Sequence, residues 1–248
     1  MLFRSAHYDT PAAFFLPNLM TPRNKVVFYG RQLGMILLLI CIGAAVGFPV
    51  GWLTGNERLG FLAGWLVYMA LVCSMNMGPA NKNNVNDNTS GVAAVLEIMA
   101  RIPKAQHNKV AFILFDNEEK GLLGSKAYAK AHPAVKENGF IVNLDCVGDG
   151  DHVLLACSKK SREQAAFAAL TEGMEAQSGR ELHIFPLEKC LFNSDQKSFK
   201  AGMAICACHE GKHVGYYCGR IHTGKDTVCE QVNLDFLAKG LAAFVGRL

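Results

Sequence analysis

A few residues scattered along the chain carry side chains able to hold a metal or move a proton: His7 and Asp9, Asp87, the adjacent pair Glu118 and Glu119, Asp145, and His222. Imidazole nitrogen and carboxylate oxygen bind hard and borderline divalent metals. A hydrolytic pair of metals also needs one carboxylate shared between the ions, with the rest on either side. His7, Asp87, Glu119, Asp145 and His222 form the candidate ligand set. Asp9 lies close enough to His7 to hold its imidazole tautomer. Taken singly, each has a plainer explanation. Adjacent glutamates are usually a solvated pair, an aspartate after a strand a turn former or helix cap, and a histidine in a polar loop a surface residue.

The elements that must position these residues raise the weight of the set. Val110 to Phe115 is a short continuous apolar run, expected to be a strand covered on both faces, and it ends at Asp116-Asn117-Glu118-Glu119. Gly139 to Leu144 repeats the pattern and ends at Asp145. In open α/β sheets ligands gather beyond the carboxyl ends of strands, and carboxylates stand there twice. His7 and Asp9 fall at the end of an expected opening strand. Ser90 to Ile102 has apolar residues at helical spacing, with Thr89 or Ser90 placed to cap it. Gly148-Asp149-Gly150 reads as a tight hairpin-like turn into a strand over His152 to Cys157. Helices are expected over Arg162 to Gln177 and Asn233 to Leu248, and strands over Glu181 to Phe185 and Met203 to Cys208. The sum is an α/β fold, a mixed, largely parallel sheet flanked by helices.

Two uncharged runs, Leu33 to Leu53 and Leu59 to Met77, interrupt that fold. Each has about 20 residues, enough to cross a hydrocarbon core of roughly 30 Å as helix. Joined only by Thr54 to Arg58, they should form a tight antiparallel transmembrane hairpin, with Gly34, Gly43, Gly47, Gly60 and Gly64 allowing close contact. The expected organisation is a first catalytic segment over 1–20, a membrane hairpin over 21–77 and the rest of the catalytic domain over 78–248. His7 and Asp87 must meet, so both outer ends of the hairpin share a compartment with Arg23, Lys25, Arg31 and Lys82. Positive flanks place it in the cytoplasm. The net charge of +4 and pI near 8.5 are modest, and the positive residues otherwise scattered, which excludes a nucleic-acid footprint. Nine cysteines without regular spacing read as reduced thiols. Cys206-Ala207-Cys208-His209, with Cys218 and Cys229 downstream, offers zinc-type donors but alternates along a strand, so these are expected to be core thiols.

Five segments together closely resemble the co-catalytic zinc aminopeptidases of peptidase clan MH, the group of bacterial leucyl aminopeptidase and aminopeptidase Y. They are Ala6-His7-Tyr8-Asp9-Thr10, Asn86-Asp87-Asn88-Thr89-Ser90-Gly91, Phe115 to Ser125, Asn143-Leu144-Asp145-Cys146-Val147-Gly148 and His222-Thr223-Gly224-Lys225-Asp226-Thr227. The resemblance covers residues 1 to about 12 and 78 to 248 and leaves the hairpin outside. It implies that Asp87 bridges two zinc ions, with His7 and Asp145 completing one site and Glu119 and His222 the other. Glu118 matches the general base that relays a proton from water to the leaving amine, and the implied reaction is hydrolysis of the N-terminal bond of peptide substrates. Cobalt or manganese also suits such donors.

The chain departs from the family pattern in three places. Gln196 replaces a histidine in Ser194-Asp195-Gln196, near the family's substrate pocket, which puts substrate preference in question. Gly224 replaces a proline. The family also has further strands and a helix before the His7 motif, so the chain is expected either to be N-terminally truncated or to have lost strands. Two other functions share the fold: glutaminyl cyclisation with one zinc, and receptor-like relatives without hydrolytic activity. Retention of every ligand type and of Glu118 argues against the latter.

Overall fold

A computed structural model of the chain describes residues 1–13, 16 and 18–247. The end of the expected closing helix at 248, and positions 14, 15 and 17 of the expected first catalytic segment, lie outside the described residues. In chain order the elements are β1 (Leu2–His7), α1 (Lys25–Thr54), α2 (Glu57–Met77), α3 (Gly91–Arg101), β2 (Val110–Phe115), α4 (Leu123–Ala131), α5 (Pro133–Asn138) and β3 (Phe140–Leu144). They continue as β4 (His152–Cys157), α6 (Lys159–Arg162), α7 (Ala166–Glu175), β5 (Glu181–Pro186), β6 (Ala201–Gly211), β7 (Gly215–Tyr217) and α8 (Gln231–Gly246).

The sheet runs β2-β1-β3-β6-β4-β5, with β7 paired to the end of β6. β2, β1, β3 and β6 are mutually parallel, while β4 and β5 run the other way. Side chains alternate between faces, as the two-residue period of a strand requires. Phe140, Val142 and Leu144 of β3 join Ile98 of α3 and Leu237, Leu241 and Phe244 of α8 in one core, while Ile141 packs on the opposite face with Phe3, Phe115 and Phe199.

Three expectations change here. β3 and β4 do not form a hairpin, because β6 inserts between them, so Gly148 to Gly150 carries a longer crossover. β2 is an edge strand with core packing on both faces, but the cover is incomplete and leaves Leu114 42% exposed. The expected helix over Arg162 to Gln177 is two pieces, α6 and α7, separated at residues 163–165.

α1 and α2 form the antiparallel pair, capped by the side chains of Asn24 and Asn56, which accept from the backbone N–H of Val27 and Leu59. Gly55, at φ +62°, ends α1 in the left-handed conformation that glycine adopts without cost. The seam is made of glycine. A Cβ on Gly47 would stand 2.6 Å from the Gly60 carbonyl oxygen, and one on Gly43 2.7 Å from that of Gly64. Gly51 belongs to the seam, whereas Gly34 meets nothing and does not. Both helices are long and apolar enough to cross a membrane, and only 17% and 6% of their apolar windows are buried, unlike helices of a soluble core.

Candidate metal centre

Parallel strands deliver their last residues to one edge of the sheet. His7 closes β1 directly opposite Phe115 of β2, so Glu118 and Glu119 follow just beyond it, and Asp145 is the first residue past β3. Asp87 arrives on the loop ahead of α3, and His222 on the loop ahead of α8.

These side chains converge. His7 Nε2 lies 3.3 Å from Asp87 Oδ1 and 3.6 Å from Asp145 Oδ1. His222 Nε2 lies 3.1 Å from Asp87 Oδ2 and 3.6 Å from Glu119 Oε1. The two oxygens of Asp87 therefore face different histidines. A tetrahedral metal with arms of about 2.0–2.1 Å separates its donors by about 3.3–3.4 Å, so these spacings match its edges. Asp145 Oδ1 is buried without a hydrogen-bond partner among the described residues, as a donor awaiting a cation would be. Glu118 joins the same cluster, with a carboxylate oxygen within 4.8 Å of a ring nitrogen of His7 and of a Glu119 oxygen.

The electrostatics point the same way. Burial first, and then the charge of Asp145, pushes Glu118 up to about 9; burial and then Asp87 push Glu119 up to about 10. Burial alone would favour neutral His7, yet the carboxylates of Asp145, Asp87 and Asp9 draw its pKa well above the imidazole range. Asp87, despite its burial, is held far below the carboxylate range by His222 and His7. The carboxylates outnumber the imidazoles that could neutralise them, and divalent cations fit this donor set.

Around the cluster stand residues that the sequence reading gave no role. The Asp226 carboxylate accepts from the backbone N–H of Asn86 at 2.7 Å and of Asp87 at 3.0 Å. Asn88 ties this loop to the end of β3, donating to Leu144 O and accepting from Cys146 N. Asn88 Oδ1 also accepts from Gly91 N, so it caps α3 in place of Thr89 or Ser90, and Ser90 Oγ instead donates to Asn86 O. Gly91 must be glycine, since a Cβ there would stand 2.3 Å from Asn88 Oδ1 and 2.5 Å from Leu144 O. The only signal of this scaffold was the density of asparagines in residues 81–88. Left-handed backbone at Asn117, Cys146 and His222 clusters beside the same residues, at about 1–3 kcal/mol each.

Asp9 Oδ1 lies 3.3 Å from His7 Nδ1, an ion-pair distance, while Nδ1 makes no aligned hydrogen bond among the described residues. Asp9 also accepts from the backbone N–H of Glu118 and Glu119. Gln196 is fully buried and accepts from Asn143 of β3. The nine cysteines are free. Cys206, Cys208 and Cys218 sit inside an apolar cluster with neighbouring sulfurs 3.4 and 3.7 Å apart, and His209 turns away to Asp149.

The sequence and the fold both match those of known peptidases. The profile of peptidase family M28 matches residues 54–243, more than three quarters of the chain, and the chain belongs to that family. The matched stretch begins ahead of α2 and so includes that helix. Among solved structures, BSAP, a zinc aminopeptidase from Bacillus subtilis, is 20% identical over 66% of this chain and 42% of its own, with a TM-score of 0.53. The LapA aminopeptidase of Legionella pneumophila is 18% identical over 66% of this chain and 46% of its own, with a TM-score of 0.51. Both share the fold, and the chain spans less than half the length of either. No curated protein matches it.

Proposed function

We propose that the chain is a membrane-anchored aminopeptidase that holds two zinc ions and hydrolyses N-terminal peptide bonds. The observation that carries this reading is the placement of the two Asp87 oxygens, 3.3 Å from His7 and 3.1 Å from His222. His7 and Asp145 complete one set of donors, Glu119 and His222 the other. Bound there, divalent cations supply Lewis acidity, acidifying water and polarising a carbonyl oxygen. Glu118 is left over as a ligand, and its carboxylate takes a proton from the attacking water and passes it to the leaving amine. Asp9 keeps the proton of His7 on Nδ1, so that Nε2 presents its lone pair, and its hold on the Glu118 and Glu119 backbone sets base and ligand together.

Metal analysis of the purified chain, with cleavage of a panel of aminoacyl amides, tests this. The expected result is two ions per chain, with activity lost to a chelator and restored by zinc. Absence of bound metal together with absence of hydrolysis overturns it. A glutamine-leading peptide separates hydrolysis, which adds water, from cyclisation, which releases ammonia.

The anchor is the α1–α2 pair, with the centre on the cytoplasmic side. Lys25 and Arg31 lie on the outer end of α1 and Arg23 just before it, and the turn between the helices offers only Arg58 beside Glu57. In a background lacking the native cysteines, a cysteine replacing Asn56 should react with an impermeant thiol reagent on intact cells and one replacing Lys225 should not. The reverse pattern inverts the topology.

A further inference from the structure

A second group of metal donors, sharing no residue with the centre above, stands where β4 and β5 begin. Because β4 and β5 run against β1, β2, β3 and β6, these starts fall on the same edge of the sheet as the carboxyl ends of β1, β2 and β3. The parallel register sets His152 opposite Glu181, and His183 follows two residues later on the same face as Glu181. His152 Nδ1, His183 Nε2 and Glu181 Oε2 form one triangle with edges of 3.1, 3.4 and 3.8 Å. A tetrahedral site with arms of about 2.0–2.1 Å has edges of about 3.3–3.4 Å, the centre of that range.

Hydrogen bonding accounts for only part of the triangle. With both rings neutral, one N–H between the facing nitrogens satisfies the 3.1 Å edge, and the accepting nitrogen still stands 3.4 or 3.8 Å from the Glu181 carboxylate oxygen with no proton between them. Three electron-pair donors aimed at one point are relieved by a cation. Glu210 Oε2 lies 3.8 Å from His152 Nε2, on the far side of that ring, where a bridging water would let it orient the imidazole. The Tyr216 hydroxyl stands 3.4 Å from His183 Nδ1 and 3.5 Å from Nε2, so it covers that ring without selecting one nitrogen. Tyr216 packs against both imidazoles, with ring centroids 5.4 and 5.0 Å away. Glu181 is solvent-exposed, which leaves a fourth position open to water.

We propose that His152, His183 and Glu181 form a separate divalent-metal site of the zinc class, which clamps the edge strand β5 to β4, its only sheet partner among the described residues. Two histidines and a carboxylate suit zinc ahead of calcium or magnesium. The test uses the full chain in detergent, stripped with a chelator and equilibrated with zinc alone. Bound zinc is counted, and amide hydrogen exchange is followed across Glu181–Pro186. The wild type should bind one ion more than His183→Asn or Glu181→Gln, and zinc should slow exchange of β5 in the wild type only. Glu210→Gln should weaken the site about 10-fold or more. Asp87→Asn separates this site from the other centre, since that chain should still take up an ion that His183→Asn then removes. Equal zinc content in wild type, His183→Asn and Glu181→Gln, or exchange of β5 indifferent to zinc in the wild type, overturns the proposal.

Discussion

At the sheet edge His7 and Asp87 are 1% and 3% exposed, whereas on the hairpin Phe48, Trp52 and Phe61 are each more than three quarters exposed. One region puts charge inside and the other puts large apolar surface outside. In water both arrangements are costly, since a buried carboxylate needs a paired charge and exposed aromatic surface needs an apolar neighbour. Opposite kinds of partner would remove these costs, the cation proposed for one region and the hydrocarbon proposed for the other. The regions are also built differently. The centre depends on contacts between distant segments, while α1 and α2 pack chiefly on each other. Damage to one should therefore leave the other standing.

The largest effect is expected at Asp87, because one of its oxygens faces each histidine, at 3.3 and 3.1 Å. Asp87→Asn keeps the side-chain shape but removes the charge shared by the two halves. Hydrolysis should fall below detection and metal content should drop, with helix content in detergent unchanged. Full metal content with normal turnover would show that Asp87 bridges nothing. Glu118→Gln should be milder, with turnover down roughly 10²-fold or more and metal content near that of the wild type. Glu119→Gln should instead lose metal. An exchange of these two outcomes would mean that base and ligand have been assigned the wrong way round.

How much of this was legible in the chain follows from the range of the interactions involved. The donors at the ends of β1, β2 and β3 could be found because an apolar run and the carboxylate after it are neighbours in sequence. The roles of Asn86, Asn88 and Asp226 could not, because their side chains serve backbone groups far away in the chain, such as Leu144 O and Asp87 N. The turn at Gly148 to Gly150 read as a hairpin because β6, which separates β3 from β4, comes some fifty residues later. Arg4 escaped notice for a similar reason. Its guanidinium is fully buried 4.8 Å above the ring of Phe244, a residue of the last helix. In the hairpin, glycine spacing gave most of the seam but not its phase, so Gly34 was included and Gly51 left out.

The glycine seam offers the complementary break. A Cβ at Gly60 would stand 2.6 Å from Gly47 O and 2.8 Å from Gly51 Cα, backbone atoms that can give way only by moving a whole helix. Gly60→Val should therefore spread the pair and lower its stability by about 1–3 kcal/mol, the usual range for overpacking a tight interface. Thermal unfolding followed by helical circular dichroism in detergent should show the loss, while zinc content stays that of the wild type. A loss of zinc in this variant would join the two regions and refute their independence.

The smallest expected effect lies at the turn between the helices, and it tests that independence most finely. Asn56 is exposed, and its side chain accepts from Leu59 N at 3.2 Å, satisfying one of the donors left open at the start of α2. Alanine removes the acceptor without adding bulk, so Asn56→Ala should cost the hairpin about 1 kcal/mol, the typical worth of such a cap. Asn24→Ala removes the equivalent bond to Val27 N at 3.1 Å, but Asn24 also accepts at its carbonyl from Thr21 Oγ1, in the segment leading back to the sheet. If the centre is held by the sheet edge alone, both variants should melt slightly earlier and hydrolyse at the wild-type rate. If Asn24→Ala slows hydrolysis and Asn56→Ala does not, the connection passes through the outer end of α1, and the hairpin is part of what aligns His7 with Asp87.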